Sequence, residues 1–212
     1  MRPQPEPPLL VLAYHKPVGL VTTHSDELGR ETVYDRLIPR LPEPMRVLRW
    51  HAVGRLDMDT SGLLLFTTSG RFIHHATQPA TGLRKKYQVL AKGILTDEQL
   101  RGLREGVELT GGLGRSGGAG VEVTEHQKAT TWLNLEISEG KNREVRRMLL
   151  AVGSQVIRLK RVAVGGLLLD VGEDQWRQLS HREIKEKLGF DPAPHVERAP
   201  PSRPPARRRR RG

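Results

Sequence analysis

Apolar residues in this chain come in short blocks, and the blocks differ in period. Leu9–Tyr14 and Gly62–Thr68 are near-continuous apolar runs, the pattern of strands buried on both faces. Between them, Lys16-Pro17-Val18-Gly19 reads as a turn leading into a second strand, Leu20–Thr23. Lys85–Ala91, Val121–Thr124, Thr130–Ser138, Gln155–Val164 and Leu167–Val171 read as further strands. Helices are predicted over Thr32–Leu37, stopped by Pro39, and over Arg71–Thr77, ended by Pro79. Thr96-x-x-Gln99 is a capping box opening a helix to Arg104, with Gly106 at its end. Asn142–Ala151 carries Val145, Met148, Leu149 and Val152 on one face and stops at Gly153. Ser180-x-x-Glu183 caps a last helix, with Ile184 and Leu188 inward and Gly189 closing it. Arg40–Val47 and Gly111–Gly120 read as loops. Strands outnumber helices without alternating regularly with them, which predicts an α+β fold with a mainly antiparallel, mixed sheet.

Charge adds a partner to this picture. The 212 residues carry a formal net charge of +11, which points to an anionic partner, nucleic acid first. Residues 192–212 hold seven of the arginines against one glutamate, so the rest of the chain is only moderately basic. Three segments are expected: a proline-rich, disordered 1–8, a folded body over 9–191, and a disordered Pro/Arg-rich tail over 192–212. There is no cysteine, which excludes disulfides and thiolate metal sites and fits a reducing cytoplasm. The N-terminal apolar run is too short for a signal peptide, and no stretch approaches the roughly 20 apolar residues of a membrane span.

The chemistry concentrates in His51–Gly70, HAVGRLDMDTSGLLLFTTSG. Arg55 and Asp57 sit two apart in a glycine-flanked turn that runs straight into an apolar strand. A carboxylate held still beside cations suits nucleophilic attack on a substrate that carries phosphates. The plainer reading is that Asp57 only caps its turn. Asp59-Thr60-Ser61-Gly62 lacks the glycine that an aspartic protease needs directly after threonine, and Asp57-Met58-Asp59 precedes its strand where a phosphatase signature would follow one. A hydrolase using Asp57 and Asp59 as an acid/base pair stays open as a competing reading. Two basic segments accompany the turn. Leu83–Val89 leads cations into a strand bearing Tyr87, and Glu139–Met148 sets Lys141, Arg143, Arg146 and Arg147 at the start and along one side of a helix. Helix N-termini receive phosphates well, and cations placed there oppose the macrodipole, so a ligand explains them better than helix stability does.

Gly54-Arg55-Leu56-Asp57-x-x-Thr60-Ser61-Gly62-Leu63-Leu64, then Lys86-Tyr87-Gln88-Val89, then Glu139-Gly140-Lys141-Asn142-Arg143-Glu144-Val145-Arg146-Arg147-Met148, together resemble the RsuA-type ribosomal RNA pseudouridine synthases. The resemblance runs from about Leu9 to Leu188, and within the family it is to the short large-subunit members without an S4-type RNA-binding module. Glu144 departs from the pattern, since relatives often carry glutamine there.

The resemblance implies a catalytic domain of two lobes around a central cleft, with helices and loops flanking the sheet. It implies isomerisation of a uridine in ribosomal RNA, 23S or a pre-ribosomal particle, to pseudouridine, by a cytoplasmic monomer without cofactor or metal. Asp57 is the implied nucleophile, acting at C1′, on the uracil ring or on a sugar proton. Arg146 is the implied partner of its carboxylate, with Arg147 as second choice. Tyr87 would lie against the target base, which is flipped out of its stack at an expense of a few kcal/mol. Arg55 would fill the gap or hold the displaced strand, and Lys16, Lys85, Lys86, Lys141, Arg143 and Arg147 would bind the RNA through its phosphates. Leu159 or Leu167 would pack on the base. A catalytically inactive RNA-binding or ribosome-assembly factor of the same fold is the alternative.

Overall fold

The computed structural model describes residues 8–192. The expected disorder of the N-terminal segment and of the arginine-rich tail concerns residues outside this range, apart from Pro8 and Pro192. The strands are β1 (Val11–Lys16), β2 (His51–Ala52), β3 (Ser61–Thr67), β4 (Lys85–Lys92), β5 (Gly120–Gln127), β6 (Thr130–Ile137), β7 (Val156–Val164), β8 (Leu167–Leu168) and β9 (Trp176–Gln178). The helices are α1 (Val33–Leu37), α2 (Glu43–Arg46), α3 (Gly70–Thr77), α4 (Asp97–Glu105), α5 (Glu144–Ala151) and α6 (His181–Leu188).

All nine strands belong to one sheet, ordered β5-β6-β4-β7-β3-β1-β9, with β2 on β3 and β8 on β7. Every pairing is antiparallel except β3 with β7, so the sheet is mixed and mainly antiparallel, as the sequence predicts. The continuous apolar runs of β1 and β3 are explained by burial on both faces. Leu12, Tyr14, Leu64 and Phe66 join one core, and Val11, Ala13, Leu63 and Leu65 the other. α1, α4 and α5 cover the first core, while α3 and α6 cover the second.

The parallel contact between β3 and β7 joins the two halves of the sheet. It is short, pairing Ser61 with Lys160 and Gly62 with Arg161. Gly62 has φ +113°, and a Cβ there would collide with the Arg161 backbone. Only glycine combines that dihedral with that approach. The gap beside this junction is where the cleft opens.

Local signals hold at the helix ends. Thr32, Thr96 and Ser180 each cap a helix through a capping box, and Gly189 closes α6 in the left-handed conformation. Several expectations are corrected. Leu20–Thr23 is no strand; Val21 makes a single bridge to Thr32. The loop expected over Arg40–Val47 contains α2. Leu167–Val171 shrinks to the two residues of β8, and β9, not anticipated, pairs with β1. α5 begins at Glu144, so Lys141 and Arg143 precede the helix instead of opposing its dipole from within.

Candidate active site

The turn that carries Asp57 is clamped from below. Its own closure is Thr60 N–H to the Asp57 carbonyl, 3.1 Å. Lys16, at the end of β1, is fully buried, and its ammonium donates to the carbonyls of Pro17 (3.0 Å), Asp57 (3.0 Å) and Thr60 (2.9 Å). Gly19 N–H donates to the Met58 carbonyl at 2.8 Å, and the Thr22 hydroxyl to the Leu56 carbonyl at 2.8 Å. Each backbone oxygen so held removes freedom from the turn, and the Asp57 side chain stands on it, partly exposed. Burial pushes the Lys16 ammonium down to about 8, against the opposing pull of Asp57 and Asp59. The expectation that Lys16 holds an RNA phosphate is therefore corrected: it braces the turn from inside the protein.

Two arginines close on the turn. Arg143 has φ 50°, a left-handed backbone rare outside glycine, and this turns its side chain back across the mouth of the cleft. Its guanidinium lies 3.2 Å from the Asp57 carboxylate and 3.0 Å from that of Asp59. Arg146, in the first turn of α5, reaches the Asp59 carbonyl at 2.9 Å and the Asp59 carboxylate at 3.2 Å. The expected pairing is thus corrected in its detail. The cation against Asp57 is Arg143, and Arg146 holds the neighbouring aspartate. Burial lowers the Arg146 guanidinium from its usual range despite Asp59, and its Nε is buried without an acceptor among the described residues. At Asp59, burial acts to raise the carboxyl, but the Arg143 hydrogen bonds and the charge of Arg146 outweigh it and hold the group below the usual carboxylate range. A carboxylate so engaged is poorly suited to donate a proton, which weighs against the acid/base pair of a hydrolase.

Beyond the turn lies a cleft of about 680 Å³. β4 contributes Lys85 and Tyr87 to its lining, and β7 contributes Leu159 and Arg161. The pairing of Tyr87 with Arg161 and Val89 with Leu159 sets these side chains side by side. Tyr87 is 9% exposed, and its hydroxyl makes no hydrogen bond to another described residue. Lys85 is pushed down by burial and by Arg161, and pulled up by Glu144. Arg55 lines the cleft from the turn, exposed and without a protein partner among the described residues.

The other expected residues divide. Lys141 lines the cleft but is engaged, with its ammonium 3.2 Å from Glu139. Lys86 is corrected by strand alternation: it points to the face of β4 opposite Lys85 and Tyr87 and does not line the cleft. Arg147 is likewise corrected. It donates to the Asn142 carbonyl at 3.1 Å and the Thr110 hydroxyl at 3.1 Å, bracing the glycine-rich loop. Of the two leucines offered for base packing, Leu159 lines the cleft and Leu167 sits in the second core. Arg161, Glu139 and Glu144 line the cleft unanticipated. For the two glutamates the available signal was the acidic residues bracketing the basic run Lys141–Arg143; Arg161 gave none.

Residues 10–151 match the family model described as RNA pseudouridylate synthase. The chain is 44% identical over 168 residues to ribosomal large subunit pseudouridine synthase B of Escherichia coli (strain K12), covering 76% of this chain and 53% of that protein. It is 43% identical over 168 residues to the Yersinia pestis protein of the same name, covering 76% of this chain and 49% of the relative. The chain therefore spans about half the length of these curated relatives. A solved structure titled as a pseudouridylate synthase superposes with TM-score 0.74 at 31% identity, over 85% of this chain and 74% of the other. Human RNA pseudouridylate synthase domain containing 1 shares the fold, with TM-score 0.53 at 16% identity over 77% of this chain and 80% of the other.

Proposed function

Because the chain belongs to the RNA pseudouridylate synthase family, we propose that it isomerises a uridine of large-subunit ribosomal RNA to pseudouridine, with Asp57 as the reacting carboxylate. The N1–C1′ bond breaks, the uracil turns, C5 bonds to C1′, a proton leaves C5, and N1 takes one up. Three routes for Asp57 – attack at C1′, attack on the ring, abstraction of a sugar proton – share one requirement, a charged carboxylate held still at the cleft. The observation that carries the reading is that Asp57 stands on a turn pinned by Lys16, with Arg143 at 3.2 Å, at a cleft large enough for a nucleotide.

The other roles follow from position. Tyr87 and Leu159 flank the flipped base, Arg55 contacts the displaced strand, and Lys85, Lys141 and Arg143 favour the phosphates around it. Arg146 fixes Asp59 and, through it, the turn. The substrate is 23S rRNA or a pre-ribosomal particle, approached by a monomer in the cytoplasm. No helix among the described residues is long and apolar enough to cross a membrane.

Tritium release from large-subunit rRNA transcript labelled at C5 of uridine tests the proposal. Wild type releases tritium, and Asp57→Asn abolishes release while holding RNA affinity within several-fold. Turnover retained by Asp57→Asn ends the assignment. Binding without release by wild type supports an inactive RNA-binding factor instead.

A further inference from the structure

Glu144 opens α5 and lines the cleft, yet it is only 3% exposed. Its Oε2 accepts the Lys141 backbone N–H at 3.0 Å. Its Oε1 is sealed from solvent and receives no donor from the described residues. A carboxylate oxygen there would be a charge removed from water, which the Lys141 N–H and the Lys141 charge offset only in part. A carboxylic acid hydroxyl there needs an acceptor, and the neighbouring Glu139 carboxylate, whose charge acts on Glu144, can supply one. Glu139 in turn accepts the Gly117 N–H and lies 3.2 Å from the Lys141 ammonium. The charged groups around Glu144 are Glu139 and Lys141 from the segment ahead of α5 and Lys85 from β4, with Arg161 of β7 behind Lys85.

We propose that Glu144 is a positioning residue that works as a neutral acid: the proton it shares with Glu139 fastens segment 139–143 to the loop at Gly117 and so holds Arg143 against Asp57. The inference rests on the synthase reading of the site. Burial, with Glu139 alongside, pushes the Glu144 carboxyl up to about 8, so the proton is present at neutral pH. Its loss sets two carboxylates side by side, breaks the shared hydrogen bond and draws Lys85 toward Glu144. Arg143 then leaves its place, and turnover falls more than RNA affinity does.

The test is tritium release between pH 6 and 9 by wild type, Glu144→Gln and Glu144→Ala. Absence of release by wild type at pH 7 overturns the synthase reading and this inference with it. With wild type active, its kcat is expected to fall as pH rises through about 8. Glu144→Gln keeps a neutral donor toward Glu139, retains most of the pH 7 rate and loses the alkaline fall. Glu144→Ala lowers kcat by about tenfold or more with little change in KM. An alkaline fall in Glu144→Gln matching that of wild type overturns the inference and leaves the synthase reading standing. A second readout needs no activity and no alanine variant. An unfolded glutamate titrates near 4.5 and the folded Glu144 near 8, so wild type loses Tm relative to Glu144→Gln as pH rises between those values. A Tm difference that does not change with pH also overturns it.

Discussion

The Arg143 guanidinium lies 3.2 Å from the Asp57 carboxylate and 3.0 Å from that of Asp59, so one side chain bridges both acids of the turn. It is partly exposed, and such pairs contribute about 1 kcal/mol or less to stability. On the proposed mechanism its effect falls on the chemistry. Arg143→Gln is expected to lower kcat by about ten- to a hundredfold while leaving the unfolding midpoint nearly unchanged. Arg143→Lys recovers only part of the rate, because an ammonium lacks the planar, pre-organised fork of a guanidinium. Tritium release and urea unfolding on the same preparations check both halves.

Lys16 should behave in the opposite way. Its ammonium serves three carbonyls inside the protein. Lys16→Met leaves the Pro17 and Thr60 carbonyls without a donor, while the Asp57 carbonyl keeps the Thr60 N–H, at about 2–4 kcal/mol. Urea unfolding is expected to show that loss, and turnover per folded molecule falls as the turn loosens. A direct RNA-phosphate role would instead lower affinity and salt dependence with stability intact.

Gly62 tests the junction of the two half-sheets. Gly62→Ala brings a Cβ into the Arg161 backbone at a dihedral unsuited to alanine. A destabilisation of about 3 kcal/mol or more is expected, seen as a lower Tm. Gly54→Ala also strains a positive φ, but a Cβ there meets nothing within 4 Å, so its Tm falls less.

Glu183 offers a stability test in acid. Hydrogen bonds from Arg177 and the Ser180 backbone N–H hold its carboxyl down at about 2, against an ordinary value of 4.5. The unfolded chain binds the proton first, so this contribution is present above 4.5 and is lost as pH falls through about 2. Glu183→Gln should therefore melt below wild type at pH 6, and the two curves should converge as the acid limit is approached.

The main strands were legible because burial on one face or two leaves a period in the sequence, as in β1, β3, β4, β6 and β7. The helix ends were legible because Thr96 and Ser180 satisfy backbone donors locally. β9 was not, since three residues carry no period, and they are a strand only because the edge of β1 offers partners. In the site, the sequence already marked Asp57, Tyr87, Lys85 and the Arg143–Arg146 segment as one set.

By itself, then, the order of residues determined which side chains could do chemistry and on which local elements they ride, since turns, caps and strand periods depend on near neighbours. Tertiary structure decided their partners. A left-handed backbone at Arg143 gave Asp57 its cation, the pairing of β1 with β3 drew Lys16 inside, and the face of β4 sent Lys86 away from the cleft. These depend on contacts between distant segments, where a shift of one residue in register or one dihedral changes which charge meets which.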